Sequence, residues 1–464
     1  MFKSKAYINS PVFIQNMLLS ARGGMYRFFR QGKVFRDILN ELGATQYLDE
    51  AGLKDWQNMR LKLIVEHAYK NVPYYSRLFN KLGILPADIR SVGDLNLLPL
   101  LTKEDVRRNP KDFTPKSRNR LLVSRNFTSG SLGKPLELYR DLYSINFENA
   151  VLWRQKQWAG ICFSDRIAVL REELVVPFKN RRPPFWRYSM PEHKMFISSY
   201  HLGRENVKYY VKAMEDFKPL AIEAEPSSLY ILARFIKDEG FCPLSFSVKA
   251  VFTSSEALVD KHKALIEEVF GGRIYDFYGN GERVAAIGMC EQGSYHALPE
   301  YGIVEFLPLD NNSGRSEIVA TNLHNYAMPL LRYRTGDVVE ISDSRCGCNR
   351  SFQAIKRIEG RLADFLIAQD GKLVYIDVCY LMLQGVNNLI ESQIIQEDLN
   401  NIRIRFIPGE GFSKPDEEKI KSNVKRYMGS SVNVILEKNG EFLYDRSNKF
   451  RPFISNVSRS LWQK

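Results

Sequence analysis

Cysteine is scarce in this chain, with six among 464 residues. At that density the chain is not a disulfide-stapled secreted domain, and a reducing, cytoplasmic setting is the expectation. Long apolar runs are also missing. No stretch approaches the roughly 18 residues that a membrane-spanning helix needs. The basic start Met1-Phe2-Lys3-Ser4-Lys5 leads into no apolar signal segment. No internal repeat and no long low-complexity linker interrupts the sequence. Acidic residues are the minority charge, 53 against 66 Lys and Arg, which leaves a net +13. Such a balance attracts nucleic acid or anionic surfaces. No helix-turn-helix or finger pattern accompanies it, so nucleic acid is not an expected partner.

What is present is an ordinary globular composition, 44% hydrophobic and 26% charged, in a chain too long for one core. Two or more domains are expected. The segment Phe13 to Leu42 places apolar residues at partly helical spacing, with Arg22, Arg27, Arg30, Lys33 and Arg36 among them. The expectation is a surface helix packed on the main domain, with peripheral contact at the inner face of a membrane as the alternative. Helical patterns run from Asp55 to Leu82 and end at Gly83. From Leu121 short apolar runs alternate with helical stretches, among them strands at Ile167–Leu170, Val248–Thr253 and Arg273–Tyr278 and helices at Val207–Phe217 and Asp260–Phe270. Alternation of this kind predicts a mostly parallel sheet with ligands at its strand ends. Shorter strands follow Gly302, and the last hundred residues read as a small α+β unit.

The segment Thr128-Ser129-Gly130-Ser131-Leu132-Gly133-Lys134-Pro135 packs hydroxyls, two glycines and a lysine into one turn. A loop of this kind brings backbone N–H groups and an ammonium to a polyphosphate. It is not the Walker pattern, because Gly130 and Gly133 are three apart and proline follows the lysine. Three segments come after it in order: Tyr278-Gly279-Asn280-Gly281-Glu282, Tyr333-Arg334-Thr335-Gly336-Asp337 and Gly360-Arg361-Leu362-Ala363-Asp364. Together the four resemble the adenylate-forming (acyl-CoA synthetase-like) superfamily. His67-Ala68-Tyr69-Lys70-Asn71-Val72-Pro73-Tyr74-Tyr75 and Leu98-Pro99-Leu100-Leu101-Thr102-Lys103 look like its phenylacetate–CoA ligase branch. Ser198-Ser199-Tyr200-His201-Leu202 and Lys449-Phe450-Arg451-Pro452-Phe453-Ile454-Ser455 are similar to CapK-like members, associated with capsular polysaccharide biosynthesis. The resemblance runs from about Leu53 to the end.

The resemblance implies an α/β protein, a large multi-layer adenylating domain with a small mobile α+β C-terminal domain. Residues 1–50 would form a helical extension, 51–361 the ATP- and acid-binding domain, and 362–464 the small domain. It implies ATP-dependent adenylation of a small carboxylic acid with release of pyrophosphate, then transfer to CoA. An amine acceptor on a sugar precursor, giving an amide, is one alternative, and a non-catalytic ATP-binding scaffold at the membrane is another. Bringing two anions together makes positive charge and positioning dominant in such chemistry. By the resemblance, Thr128, Ser129, Gly130, Ser131, Gly133 and Lys134 hold the β- and γ-phosphates. Tyr278, with Gly279 beside it, lies near adenine, Glu282 helps hold Mg2+, Asp337 accepts from the ribose hydroxyls, and Arg361 supports the nucleotide. Lys449 reaches the α-phosphate and the acyl carboxylate, with Lys438 a weaker rival.

Three departures stand out. Asn448 replaces a glycine before Lys449, Ala363 replaces a charged hinge residue, and Glu225 stands where an aromatic is usual. The last suggests a different acid or a polar pocket wall. Cys290, His296, Cys346 and Cys348 suit tetrahedral Zn2+ by ligand type, and their set resembles one in this branch, so a structural zinc is expected. Cys162, Cys242 and Cys379 read as core residues, and His67 and His193 show no partner in sequence. His201 lines the acid pocket or packs, and Ser254-Ser255-Glu256 lies beside the nucleotide.

Overall fold

The computed structural model of the protein describes residues 4–116, 123–127, 136–309, 314–361, 366–370, 373–374, 382–383, 385–386, 389–443 and 453–457. The chain opens with three helices, α1 (Lys5–Asn9), α2 (Val12–Arg30) and α3 (Lys33–Thr45), followed by α4 (Glu50–Asn71) and α5 (Pro73–Leu82). One helical pattern becomes two because Pro73 lacks the N–H that would continue α4, and Val72 before it is extended (φ −104°, ψ 117°). Gly83 then ends α5 in the left-handed conformation, φ +68°. The short α6 (Lys103–Arg108) starts at a Thr102/Asp105 capping box.

The pair β1 (Val123–Phe127) and β2 (Glu137–Asp141) is antiparallel, with Phe127 opposite Glu137. Residues Thr128 to Pro135 connect its strands and lie outside the described residues. Next come α7 (Leu142–Trp158), β3 (Ile167–Arg171), β4 (Trp186–Ser189), β5 (Lys194–Ser198), α8 (Val207–Phe217), β6 (Ala221–Ala224), α9 (Pro226–Asp238), β7 (Ala250–Ser254), α10 (Asp260–Phe270) and β8 (Arg273–Gly279). Strands β5, β3, β6, β7 and β8 are parallel neighbours in that order. They are apolar on both faces, as a doubly covered parallel sheet requires. Ala168, Leu170, Ile222, Val251 and Ile274 meet α8, α9 and α10. The alternate residues Ile167, Val169, Ala221, Phe252 and Tyr275 face Leu19 of α2 and Trp158 of α7.

The same sheet continues through β9 (Ala286–Met289), β10 (Tyr295–Ala297), β11 (Gly302–Pro308), β12 (Arg315–Asn322), β13 (Tyr333–Ile341) and β14 (Ala354–Arg361), reaching 12 strands. Every pairing beyond β8 is antiparallel. The expectation of a mostly parallel sheet holds for the stretch where strands alternate with helices, β3 to β8; beyond it, where the intervening helices stop, the sheet continues antiparallel. After the small pair β15 (Leu366–Ile367) and β16 (Leu373–Val374), the chain forms β17 (Leu389–Gln396), β18 (Asn401–Pro408), α11 (Lys414–Met428), β19 (Asn433–Lys438) and β20 (Phe453–Ser455). The last four strands form one sheet in the order β19-β18-β17-β20, covered by Ile420, Val424 and Met428 of α11. Among the described residues no helix is long and apolar enough to cross a membrane.

Candidate functional site

Strand β8 ends at the carboxyl edge of the parallel block, where an open α/β sheet binds ligands. Beyond it the backbone turns tightly. Arg283 N–H donates to Asn280 O (3.1 Å), Val284 N–H donates to Asn280 Oδ1 (3.1 Å), and Arg283 sits at φ +55°. The turn brings Glu282 under Tyr333, whose hydroxyl donates to Glu282 Oε1 at 2.8 Å. Lys103 Nζ lies 3.6 Å from the same oxygen, and the Glu282 side chain is 10% exposed.

Asp337 is aimed by a bulge. Glu317 pairs with Val338 and Val319 with Arg334, so Thr335, Gly336 and Asp337 all stand opposite Ile318. Gly336 takes φ +71° there, which a side chain would strain. Thr335 closes the bulge, its hydroxyl donating to Ile318 O (2.9 Å) and accepting from Asp337 N–H (3.0 Å). The buried Asp337 carboxylate then accepts the Tyr278 hydroxyl at 2.5 Å, linking β13 to β8. Burial first, and then Asp337, push the Tyr278 phenol well above its ordinary pKa. Arg334 points elsewhere, into an ion pair with Glu317 on β12.

Two cations here were given no role by the sequence. Lys103 is placed because Leu101 N–H donates to Arg332 O (2.9 Å) and Arg334 N–H donates to Leu101 O (2.8 Å), which stitches the Leu98–Lys103 segment to β13. Arg140 of β2 donates to Gly281 O. Burial, and then Arg283, bring its pKa down to about 10. Lys103 was legible as part of a quoted motif. Arg140 carried no signal.

A cavity of about 250 Å³ runs from Ser254 and Phe277 into the layer between the sheet and helices α2 and α7. Its wall sets charged groups among apolar ones, Leu152, Val169, Phe196, Phe252 and Phe277. Glu223, 9% exposed, meets Lys194 Nζ at 3.1 Å and Lys156 Nζ at 3.3 Å. Burial would raise the Glu223 pKa, but Lys156, Lys194 and Arg171 outweigh it and hold the carboxyl well below its usual range. Arg171 also donates to Ser254 Oγ (3.0 Å). Nearby, Glu225 accepts from Glu172 N–H (3.0 Å). Burial pushes its pKa up to about 7, with Arg171 opposing and Glu256 adding.

The four thiol and imidazole ligands come together. Cys290 follows β9, His296 lies on β10, and Cys346 and Cys348 precede β14, with all four ligand atoms within 4.8 Å of one another. Tetrahedral Zn2+ with Zn–S of ~2.3 Å and Zn–N of ~2.0–2.1 Å demands S···S edges of about 3.8 Å and S···N edges of about 3.6 Å. Cys290 Sγ to Cys346 Sγ is 3.7 Å and Cys348 Sγ to His296 Nε2 is 3.5 Å, so the residues fit the ion. The other imidazole nitrogen, Nδ1, is 3.4 Å from Phe352 O, the kind of outer contact that orients a ligating histidine.

Comparison with known proteins identifies the kin. A family model described as the CapK C-terminal domain matches residues 366–456. Protein CapK of Staphylococcus aureus is 28% identical over 454 residues, covering 97% of this chain and 99% of the relative. Phenylacetate-coenzyme A ligase of Aromatoleum evansii is 25% identical over 413 residues, covering 82% and 89%. The chain is an adenylate-forming, CapK- and phenylacetate–CoA ligase-like protein. A solved 2-hydroxyisobutyryl-CoA ligase, in the postadenylation state in complex with R3-HIB-AMP, shares the fold at 18% identity, with a TM-score of 0.70 over 90% of this chain and 92% of the other.

Coverage of 97% by CapK corrects the expected start of the resemblance near Leu53, since most of the first fifty residues must lie within it. Of the expected site residues in this CapK-like chain, Tyr278, Gly279, Glu282 and Asp337 cluster at the end of β8. Thr128, Ser129, Gly130, Ser131, Gly133, Lys134, Ala363 and Lys449 lie outside the described residues, as does the Arg361 side chain, whose backbone pairs with Asp337. Cys379 is also outside. Cys162 and Cys242 are exposed, not core. His67 has partners after all, Tyr326 O at 2.9 Å and Asn71. His201 stacks on Phe185 and pairs with Ser198 Oγ (2.8 Å), which is a packing role.

Proposed function

We propose that the protein is an AMP-forming acid–CoA ligase. A carboxylate oxygen attacks the α-phosphorus of ATP, pyrophosphate leaves, and the CoA thiol then displaces AMP from the acyl carbon. The observation that carries this reading is the convergence of Tyr278, Glu282 and Asp337 at the end of β8. In it Asp337 offers an acceptor to the ribose hydroxyls while Tyr278 fixes its rotamer. Lys134 and its loop cradle the phosphates, Arg361 supports the nucleotide, and Lys449 follows charge onto the bridging oxygen. Glu282 is a hard oxygen donor of the kind Mg2+ takes. Bound there, Mg2+ would neutralise phosphate charge.

The cavity wall supports a polar acid. Lys156, Glu223 and Lys194 already pair with one another, and a hydroxylated or dicarboxylic body adds hydrogen bonds to them that an aryl or alkyl group cannot. A cavity of about 250 Å³ suits a small acid. The Cys290/His296/Cys346/Cys348 set is read as a structural Zn2+ site, and the CapK similarity supports a role in capsular or surface polysaccharide synthesis. ATP–pyrophosphate exchange over a panel of aryl, fatty, hydroxy and dicarboxylic acids tests the reading, with Lys449→Ala alongside. Exchange driven by the polar acids and lost in the variant is the expected result. Exchange driven by no acid, in folded protein that binds ATP, would reject the ligase reading, and exchange driven only by aryl or fatty acids would reject the polar pocket.

A further inference from the structure

Helix α2 carries two opposite faces. Gln15, Leu19 and Gly23 are buried against the large sheet. The contact is close and specific: a Cβ on Gly23 would meet Ser189 Oγ at 2.3 Å. Asn16 Oδ1 accepts from Tyr188 N–H (2.9 Å) and Ser20 Oγ accepts from Met190 N–H (3.2 Å), so the helix cannot turn about its axis without breaking these bonds. Two residues on, about 200° around the helix, stands the outer face: Phe13 63% exposed, Met17 63%, Met25 62%, Phe28 76% and Phe29 59%. A long solvent-facing side with no charge at its centre is not how a surface helix ordinarily ends up.

Charge selects the occupant. The first 36 residues hold seven of the chain's lysines and arginines, Lys3, Lys5, Arg22, Arg27, Arg30, Lys33 and Arg36, and no acid precedes Asp37. The first 36 residues therefore carry +7, and Asp37, Glu41, Asp49 and Glu50 bring residues 1–50 to +3. Lys33 and Arg36 are exposed just past the Phe28–Phe29 end, Lys33 in an exposed pair with Asp37 (2.6 Å), and the Arg30 guanidinium lies 4.4 Å from the Tyr26 ring. A second copy docking face to face would bring this charge against itself. An anionic bilayer surface meets both requirements, accepting the aromatic and methionine side chains at the acyl boundary and pairing the basic ones with headgroups.

We infer that α2 seats the protein on an anionic membrane surface, lying in the interface plane with Phe13, Met17, Met25, Phe28 and Phe29 inserted. The inference stands apart from the ligase reading. The test is vesicle flotation of the full chain on phosphatidylglycerol/phosphatidylcholine and on pure phosphatidylcholine. Wild type should float with the anionic vesicles and hardly with the neutral ones. Phe28→Ser/Phe29→Ser should weaken partitioning by ~10-fold or more. Arg36→Gln should cost about five-fold, and the binding should weaken in high salt. Thermal unfolding of the variants without lipid should match wild type, because the changed side chains are exposed. Failure of wild type to float, or unchanged flotation of the Phe28/Phe29 variant, would overturn the inference. So would a dimer that the same substitutions dissociate in protein that ignores vesicles.

Discussion

Asp337 depends on two neighbours in sequence and two residues far from it. Thr335 and Gly336 shape the bulge, Ile318 closes it, and the Tyr278 hydroxyl fixes the carboxylate. Asp337→Asn weakens that bond and, on the proposed reading, removes the charge that would attract the ribose hydroxyls. Hydrogen bonds to charged groups are worth ~1.5–3 kcal/mol, so KM for ATP should rise about 10–100-fold with a smaller change in kcat, as measured by initial rates of AMP formation. Glu225 makes a different prediction. Its folded pKa near 7 lies above the ordinary 4.5. A carboxyl shifted upward stabilises the folded state while it is protonated. That contribution is full below pH ~4.5 and is lost as pH rises through 7. Glu225→Gln should therefore match wild type in urea melts at pH 4.5 and exceed it at pH 8 by up to about 3 kcal/mol. Equal pH slopes would remove Glu225 from the account. The motif residues were legible because each lies in a short contiguous pattern. Arg140 was not, because only the tertiary approach of β2 to Gly281 gives it a place.

Helices and strands that bury a regular face were readable from periodicity. Val207–Phe217 and Asp260–Phe270 match the expected bounds because their ends are set locally, the second by Gly271 at φ +77°. The direction of β9 to β14 was not readable, since strand pairing depends on connections and partners far apart in sequence. The candidate zinc ligands show the same limit. Cys290 and Cys348 are 58 positions apart, and only the pairing of β10 with both β9 and β14 brings His296 between them. The ion would tie the β9–β10 hairpin to the segment before β14. Elemental analysis should find one zinc per chain, and Cys348→Ser should lose it. The midpoint of thermal unfolding should fall by ~5–10 °C. Metal-free wild type with an unchanged midpoint would contradict the assignment.

At the scale of the whole molecule, three features meet around one sheet: the Tyr278/Glu282/Asp337 cluster at the end of β8, a cavity with charged groups in the layer behind it, and the basic extension covering that layer. The sequence made the extension readable as a helix with charge on it. Which side faces outward required the packing of Gly23, Asn16 and Ser20 against the edge of the sheet. The central claim concerns chemistry at the first of these features. Its most direct test is the fate of the carboxylate oxygens of an acid that supports turnover, labelled with 18O and followed by 31P NMR. Attack on the α-phosphorus leaves one acid oxygen on AMP once the acceptor displaces it, so AMP should carry the label and inorganic pyrophosphate none. Label in inorganic phosphate, with ADP as the other product, would mean an acyl phosphate route and would contradict adenylate formation.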